Sequence, residues 1–101
     1  MIYTKEGNSK NIRLIADERM ELRTVKSLRC ELEGCIKRGY EDITIDFRNV
    51  KMIDCSAIGV IIAFHKKLKR LNGSIHLENV RSAHVQNLFN ALRLSSILNI
   101  K

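Results

Sequence analysis

Between residues 43 and 68 the spacing of apolar side chains changes from every second residue to every third or fourth. The change falls across Met52-Ile53-Asp54-Cys55-Ser56-Ala57-Ile58-Gly59. Before it, Ile43, Ile45, Phe47 and Val50 form a β-branched, alternating run. After it, Ile58, Ile61, Ile62, His65 and Leu68 recur at helical spacing. Period two belongs to a strand and period 3.6 to a helix. An acid, a thiol, a hydroxyl and two small residues therefore sit on a strand-to-helix turn. Such a turn exposes backbone N–H groups and holds a serine hydroxyl at the positive end of a helix dipole. A serine there can cap the helix, act as a nucleophile or accept a phosphoryl group.

The flanking segments extend the pattern. Residues 11–16 alternate and read as a strand, with residues 2–5 paired to it across a turn at Gly7-Asn8. Thr24 is the expected N-cap of a first helix, with Val25, Leu28, Leu32, Cys35 and Ile36 on one face and Gly39 as its stop. The second helix is expected from near Ser56 to Asn72-Gly73. Residues 74–78 form a further strand, with Ile75 and Leu77 inward. A third helix begins near Ser82, with Val85, Leu88, Phe89 and Leu92 as its stripe, and the tail from Leu94 to Ile100 docks as a short helix through Ile97 and Leu98. Strands alternating with helices imply an α/β domain with a mostly parallel sheet of four to five strands and about four helices. The strands at 43–47 and 75–77 should be parallel neighbours. Polar residues Thr44, Asp46, His76 and Glu78 suggest one sheet face less covered by helices.

With 101 residues there is room for one core, and nothing marks a linker or a repeat. The longest apolar run, Ala57 to Phe64, is too short to span a bilayer, and the first residues lack a signal-peptide layout. A cytoplasmic location is expected. Cys30 and Cys35 lie about 140° apart around a helix at roughly 100° per residue, so reduced thiols are expected rather than a disulfide or a metal site. No cofactor is expected. The net charge is +7, densest at Lys66, Lys67, Lys69 and Arg70. That cluster reads either as a solvated helix face or as a partner surface. No aromatic interleaves with it, so direct nucleic-acid binding is not expected.

The second helix carries two apolar stripes at its start. Ile58, Ile61, Ile62 and His65 form one; Val60, Phe64, Leu68 and Leu71 form the other. Either a neighbouring helix covers the second stripe, or Val60 and Phe64 help a partner dock beside Ser56. An enzyme is not expected. His65 is two to three turns from Ser56, and the turn lacks the glycine-flanked elbow of hydrolases.

Taken together, the chain resembles the STAS family, and within it the bacterial anti-sigma factor antagonists. The resemblance runs over nearly the whole chain, as one STAS domain at 1–101. It centres on Ile43-Thr44-Ile45-Asp46-Phe47-Arg48-Asn49-Val50 followed by Ile53-Asp54-Cys55-Ser56-Ala57-Ile58-Gly59-Val60, with Leu22 to Leu28 upstream and Leu68 to Gly73 downstream. It implies that Ser56 is the phosphoacceptor, that Asp54 is the family's preceding aspartate, and that Glu21 is an acid used in partner docking. Cys55, Ala57, Ile58, Val60 and Phe64 join Glu21 and Asp54 as expected partner-binding residues. Cys55 stands where the family has serine, Ala57 where it has glycine, and Glu18 where glycine is common. The implied function is binding to an anti-sigma factor, often a serine kinase, which frees a sigma factor until Ser56 is phosphorylated. The alternative implied by the same family is a binding module without phosphorylation, as a stress-complex scaffold or the cytosolic subunit of a lipid transporter.

Overall fold

The computed structural model describes the backbone at residues 2–7 and 10–100, and side chains at 10–100. In chain order the elements are β1 (Ile2–Gly7), β2 (Asn11–Ala16), β3 (Arg19–Met20), α1 (Val25–Lys37), β4 (Asp42–Asp46), β5 (Met52–Ile53), α2 (Cys55–Arg70), β6 (Ser74–Glu78) and α3 (Ala83–Ala91). A 3-10 turn (Leu94–Ser96) and β7 (Asn99–Ile100) complete the chain. The main sheet has the order β1-β2-β4-β6-β7. β1 pairs antiparallel with β2, and every other neighbour is parallel. The expected first hairpin is thus present; Asn8 of its turn lies outside the described residues.

From β2 onward each crossover moves one strand further in the same direction. Right-handed crossovers then set α1, α2 and α3 on one face of the sheet. Ile12, Leu14, Ile43, Ile45, Ile75 and Leu77 point to that face and are at most 4% exposed. Phe47 meets Phe89 of α3 edge-on there, with ring centroids 5.6 Å apart. The other face carries the polar half of each alternating strand. Within it, Asp46 is fully buried by its own partners. Asp46 accepts from Arg13 Nη1 at 3.0 Å, Arg48 Nε at 3.0 Å and Asn79 Nδ2 at 3.1 Å, and Arg13 also pairs with Glu78 at 2.6 Å. Burial raises the Asp46 pKa, but the bonds from Arg48 and Asn79 outweigh it and hold the carboxyl well below the usual range.

The helix boundaries differ from the sequence expectation at three places. Thr24 precedes α1 but does not cap it; its Oγ1 accepts the Glu21 N–H at 3.0 Å and so closes the loop before the helix. α2 begins at Cys55, with Asp54 as its cap. The tail is not simply a short helix. After Leu94–Ser96 the chain extends as β7 and fills the open edge of β6, a lone strand edge being costly to leave unpaired. Leu94 and Leu98 are buried there, whereas Ile97 is 44% exposed. Gly39, with φ at +89°, ends α1 as a glycine C-terminus should. Gly73 has a different reason: a Cβ there would stand 2.0 Å from the Glu41 carbonyl oxygen.

α2 packs against α1 and β6. Val60, Phe64 and Leu68 are buried as well as Ile58 and Ile61, so most of the second apolar stripe is closed within the domain. His65 is buried; its Nδ1 accepts the Ile75 N–H at 3.0 Å and fastens α2 to β6. The three cysteines are thiols outside any disulfide, and Cys30 is exposed while Cys35 is buried, as opposite helix faces require. Among the described residues, no helix is long and apolar enough to cross a membrane.

Candidate functional site

β5 is two residues long because Asp54 must turn the chain. Met52 and Ile53 pair in parallel with Arg19 and Met20, a small second sheet not apparent in the sequence pattern. This pairing brings the loop at 21–24 beside the start of α2. The Asp54 N–H donates to the Met20 carbonyl at 3.0 Å. Asp54 itself is extended (φ −114°, ψ 174°) and caps α2: Oδ1 accepts the Ala57 N–H at 3.1 Å. Its other oxygen, Oδ2, accepts the Leu22 N–H at 2.9 Å. One carboxylate therefore ties the helix start to the Glu21-Leu22 loop.

Ser56 lies in the first turn of α2, not at the cap. Its hydroxyl donates to Asp54 Oδ1 at 2.5 Å, and the residue is half-buried at the surface. The Ser56 hydroxyl is the main cause that lowers the Asp54 pKa, and backbone N–H groups of Ala57, Leu22 and Ser56 add to it against a burial penalty. Asp54 orients the hydroxyl by accepting its hydrogen bond.

The sequence-derived site residues divide into two groups. Glu21, Asp54, Cys55 and Ser56 come together at the surface. Glu21 is held by Arg23, with Nη2–Oε1 at 3.0 Å, and by Arg19 at 3.8 Å. Its own side chain is only 13% exposed, so the two guanidiniums front it. Ala57, Ile58, Val60 and Phe64 are instead buried, at 0%, 5%, 6% and 8% exposure. In the isolated domain these four belong to the core cluster beneath the site. Three surface residues were not apparent beforehand. Leu22 is 71% exposed, on the backbone that Asp54 grips. Gly59 and Ala63 are exposed and follow Cys55 at four-residue steps, which leaves a smooth helix face beside Ser56. The i, i+4, i+8 run of small residues was the available signal.

Neither arrangement of serine and histidine makes a nucleophile. Ser56 and His65 are nine residues apart on one helix, roughly 13 Å along its axis. Burial, then nearby Lys69 and His76, lowers the His65 pKa, which favours the unprotonated Nδ1 that accepts the Ile75 N–H. On the open sheet face, Ser74 Oγ donates to Asp42 Oδ1 at 3.1 Å and lies 2.9 Å from His76 Nε2. The same His76 nitrogen faces Asp42 at 3.6 Å. A relay needs the acid and the hydroxyl on different ring nitrogens, which this cluster lacks. Among the described residues, no group of three or more His, Cys, Asp or Glu could hold a metal ion.

Comparison with known proteins gives the same fold. The unphosphorylated form of the anti-sigma factor antagonist SpoIIAA superposes with a TM-score of 0.83 at 17% identity, covering 100% of this chain and 88% of that one. The phosphorylated form of SpoIIAA, a Bacillus cell-fate determinant, gives 0.74 at 14% identity over 100% and 91%. A proposed anti-sigma factor antagonist from Thermotoga maritima gives 0.87 at 17% identity over 97% and 84%. At these identities the likeness is one of fold. No curated protein sequence matches the chain. The STAS domain model matches residues 5–101, which takes in the chain from within β1 onward, with α1, α2, α3 and the Asp54–Ser56 turn. With the model spanning almost every described element, the chain belongs to the STAS-domain family.

Proposed function

We propose that this protein is an anti-sigma factor antagonist, docking through the surface around Ser56 and switched off when Ser56 is phosphorylated. The observation that carries the reading is the Asp54 clasp, which holds the Ser56 hydroxyl with one oxygen and the Leu22 backbone with the other. The hydroxyl is thereby presented beside an exposed leucine and a smooth helix face. The partner is an anti-sigma factor, and one with serine kinase activity would both bind this surface and modify it.

A phosphoryl group on Ser56 brings about −1.5 to −2 charges. The α2 dipole favours them by about 0.3–1 kcal/mol. Asp54 opposes them. Two unit charges about 4 Å apart repel by about 1 kcal/mol in water and about 4 kcal/mol near a protein surface. Repulsion therefore matches or exceeds the dipole term even before a partner arrives. Phosphorylation also removes the O–H donor that Asp54 now accepts. Asp54 is pushed off Oγ, and its hold on Leu22 weakens with it. At a closed interface the dianion must further be desolvated, which costs several kcal/mol unless paired. A loss of about 3 kcal/mol weakens binding roughly a hundredfold.

The test is intact mass after incubation with ATP and the kinase-type anti-sigma factor. One phosphoryl addition on the parent and none on Ser56→Ala supports the assignment. Equal addition to both, or addition to neither while the two proteins still bind, refutes the switch.

A further inference from the structure

The net charge of +7 is not spread evenly. Five basic residues, Arg13, Arg19, Arg23, Arg48 and Lys51, form ion pairs with Asp46, Glu78, Glu21 and Glu18. Six others crowd the opposite end of the helices: Lys37 and Arg38 at the end of α1, and Lys66, Lys67, Lys69 and Arg70 at the end of α2. All six are exposed. The two helix ends are brought to one edge by the sheet. Asp42 and Ser74 are paired in register, and the Ser74 N–H donates to the Glu41 carbonyl at 3.0 Å. Among the described residues, none of the six takes part in an ion pair. Glu33, Glu41 and Asp42, the acids nearest in sequence, form ion pairs with none of them.

Helix capping accounts for only part of this. Each helix C-terminus carries about half a negative charge, so two ends offset about one cation. The helix ends thus leave about five of the six cations uncompensated, and the nearby acids Glu33, Glu41 and Asp42 lower the net charge of this end without ion-pairing to any of the six. In their midst, Leu71 is 54% exposed.

We propose that this end of the molecule docks on an anionic lipid membrane. Six cations on one blunt edge, with an exposed leucine among them, match a plane of phosphate headgroups over an apolar layer. A single-stranded nucleic acid would instead want aromatic faces to stack on. Among the described residues, Phe47, Phe64 and Phe89 are buried and Tyr40 is half-buried. Ser56 is at the other end of α2, about 21 Å away along the axis, so a membrane-docked molecule keeps that surface open. The proposal does not depend on Ser56 being phosphorylated.

The experiment is sedimentation with vesicles of equal parts phosphatidylglycerol and phosphatidylcholine, against vesicles of phosphatidylcholine alone. The full chain should bind the anionic vesicles only, and salt should release it, because the Debye length shortens to about 10 Å at 0.1 M and further above. The triple variant Lys66→Gln, Lys67→Gln, Arg70→Gln should lower partitioning roughly a hundredfold. Its unchanged circular dichroism would show that these exposed positions, Lys67 with its ammonium 5.8 Å from the Phe64 ring centroid among them, were altered without unfolding. Leu71→Ser should weaken binding severalfold. Equal binding to both vesicle types, or parent-like binding by the triple variant, overturns the proposal. So does retention of duplex DNA with no vesicle binding, which would assign the edge to nucleic acid.

Discussion

Asp46→Asn removes one charge and almost no volume from the most heavily bonded side chain of the sheet. The carboxylate is fully buried and receives bonds from Arg13, from the Arg48 side chain and backbone, and from Asn79. Breaking one partner of a buried ion pair costs about 3–5 kcal/mol. The two arginines are 29% and 42% exposed, and Arg13 keeps Glu78, so both recover some hydration. The expected loss is therefore at the low end, about 3 kcal/mol, a large share of the roughly 5–15 kcal/mol that holds a domain together. Urea denaturation of the parent and Asp46→Asn measures it. The pH dependence gives an independent reading. The folded pKa lies well below the unfolded value of 3.8, so the stabilisation is complete above that value and is lost as pH falls through the folded pKa. Asp46→Asn should flatten the acid limb of the stability profile. A loss under about 1 kcal/mol with an unchanged acid limb would refute the claim that this network anchors the end of β4.

Three further outcomes follow from named contacts. Asp54→Ala should cost about 1–2 kcal/mol in urea denaturation and Asp54→Asn clearly less, because asparagine caps a helix nearly as well; equal losses would contradict the capping role. Gly73→Ala should destabilise by about 3 kcal/mol, since its Cβ meets the Glu41 carbonyl, whereas Gly59→Ala should stabilise by about 0.5–1 kcal/mol, having open space around it; melting temperatures moving the same way in both would contradict this. The fold lowers the His65 pKa, chiefly by burial, so the unfolded chain takes up the proton first. Stability should fall as pH drops below 6.5 toward the lower folded pKa, and His65→Gln should remove that slope; urea midpoints that stay level for the parent across this range would contradict it.

The parallel core was legible because its strands alternate cleanly and its helices end in Gly39 and Asn72-Gly73. The open polar face was legible for the same reason, from Thr44, Asp46, His76 and Glu78. β3 and β5 were not, because two residues carry no period; their pairing is a tertiary event that brings Leu22 to Asp54. β7 was hidden likewise, since Asn99-Ile100 gains strand structure only from the free edge of β6. Ser56 and Asp54 stood out as residue types on a turn. Which of them caps was decided by backbone geometry: Asp54 is extended and Ser56 is already helical. The burial of Val60 and Phe64 depended on whether α1 lies close enough to cover them, which a single helix pattern cannot specify.

The most direct measurement is the affinity of the anti-sigma factor for this protein in two forms, unmodified and phosphorylated at Ser56. A drop of about a hundredfold on phosphorylation, reproduced in part by Ser56→Asp and absent in Ser56→Ala, is the predicted result. Equal affinities for the two forms would mean that the hydroxyl between Asp54 and the exposed Leu22 is a structural bond and not a switch.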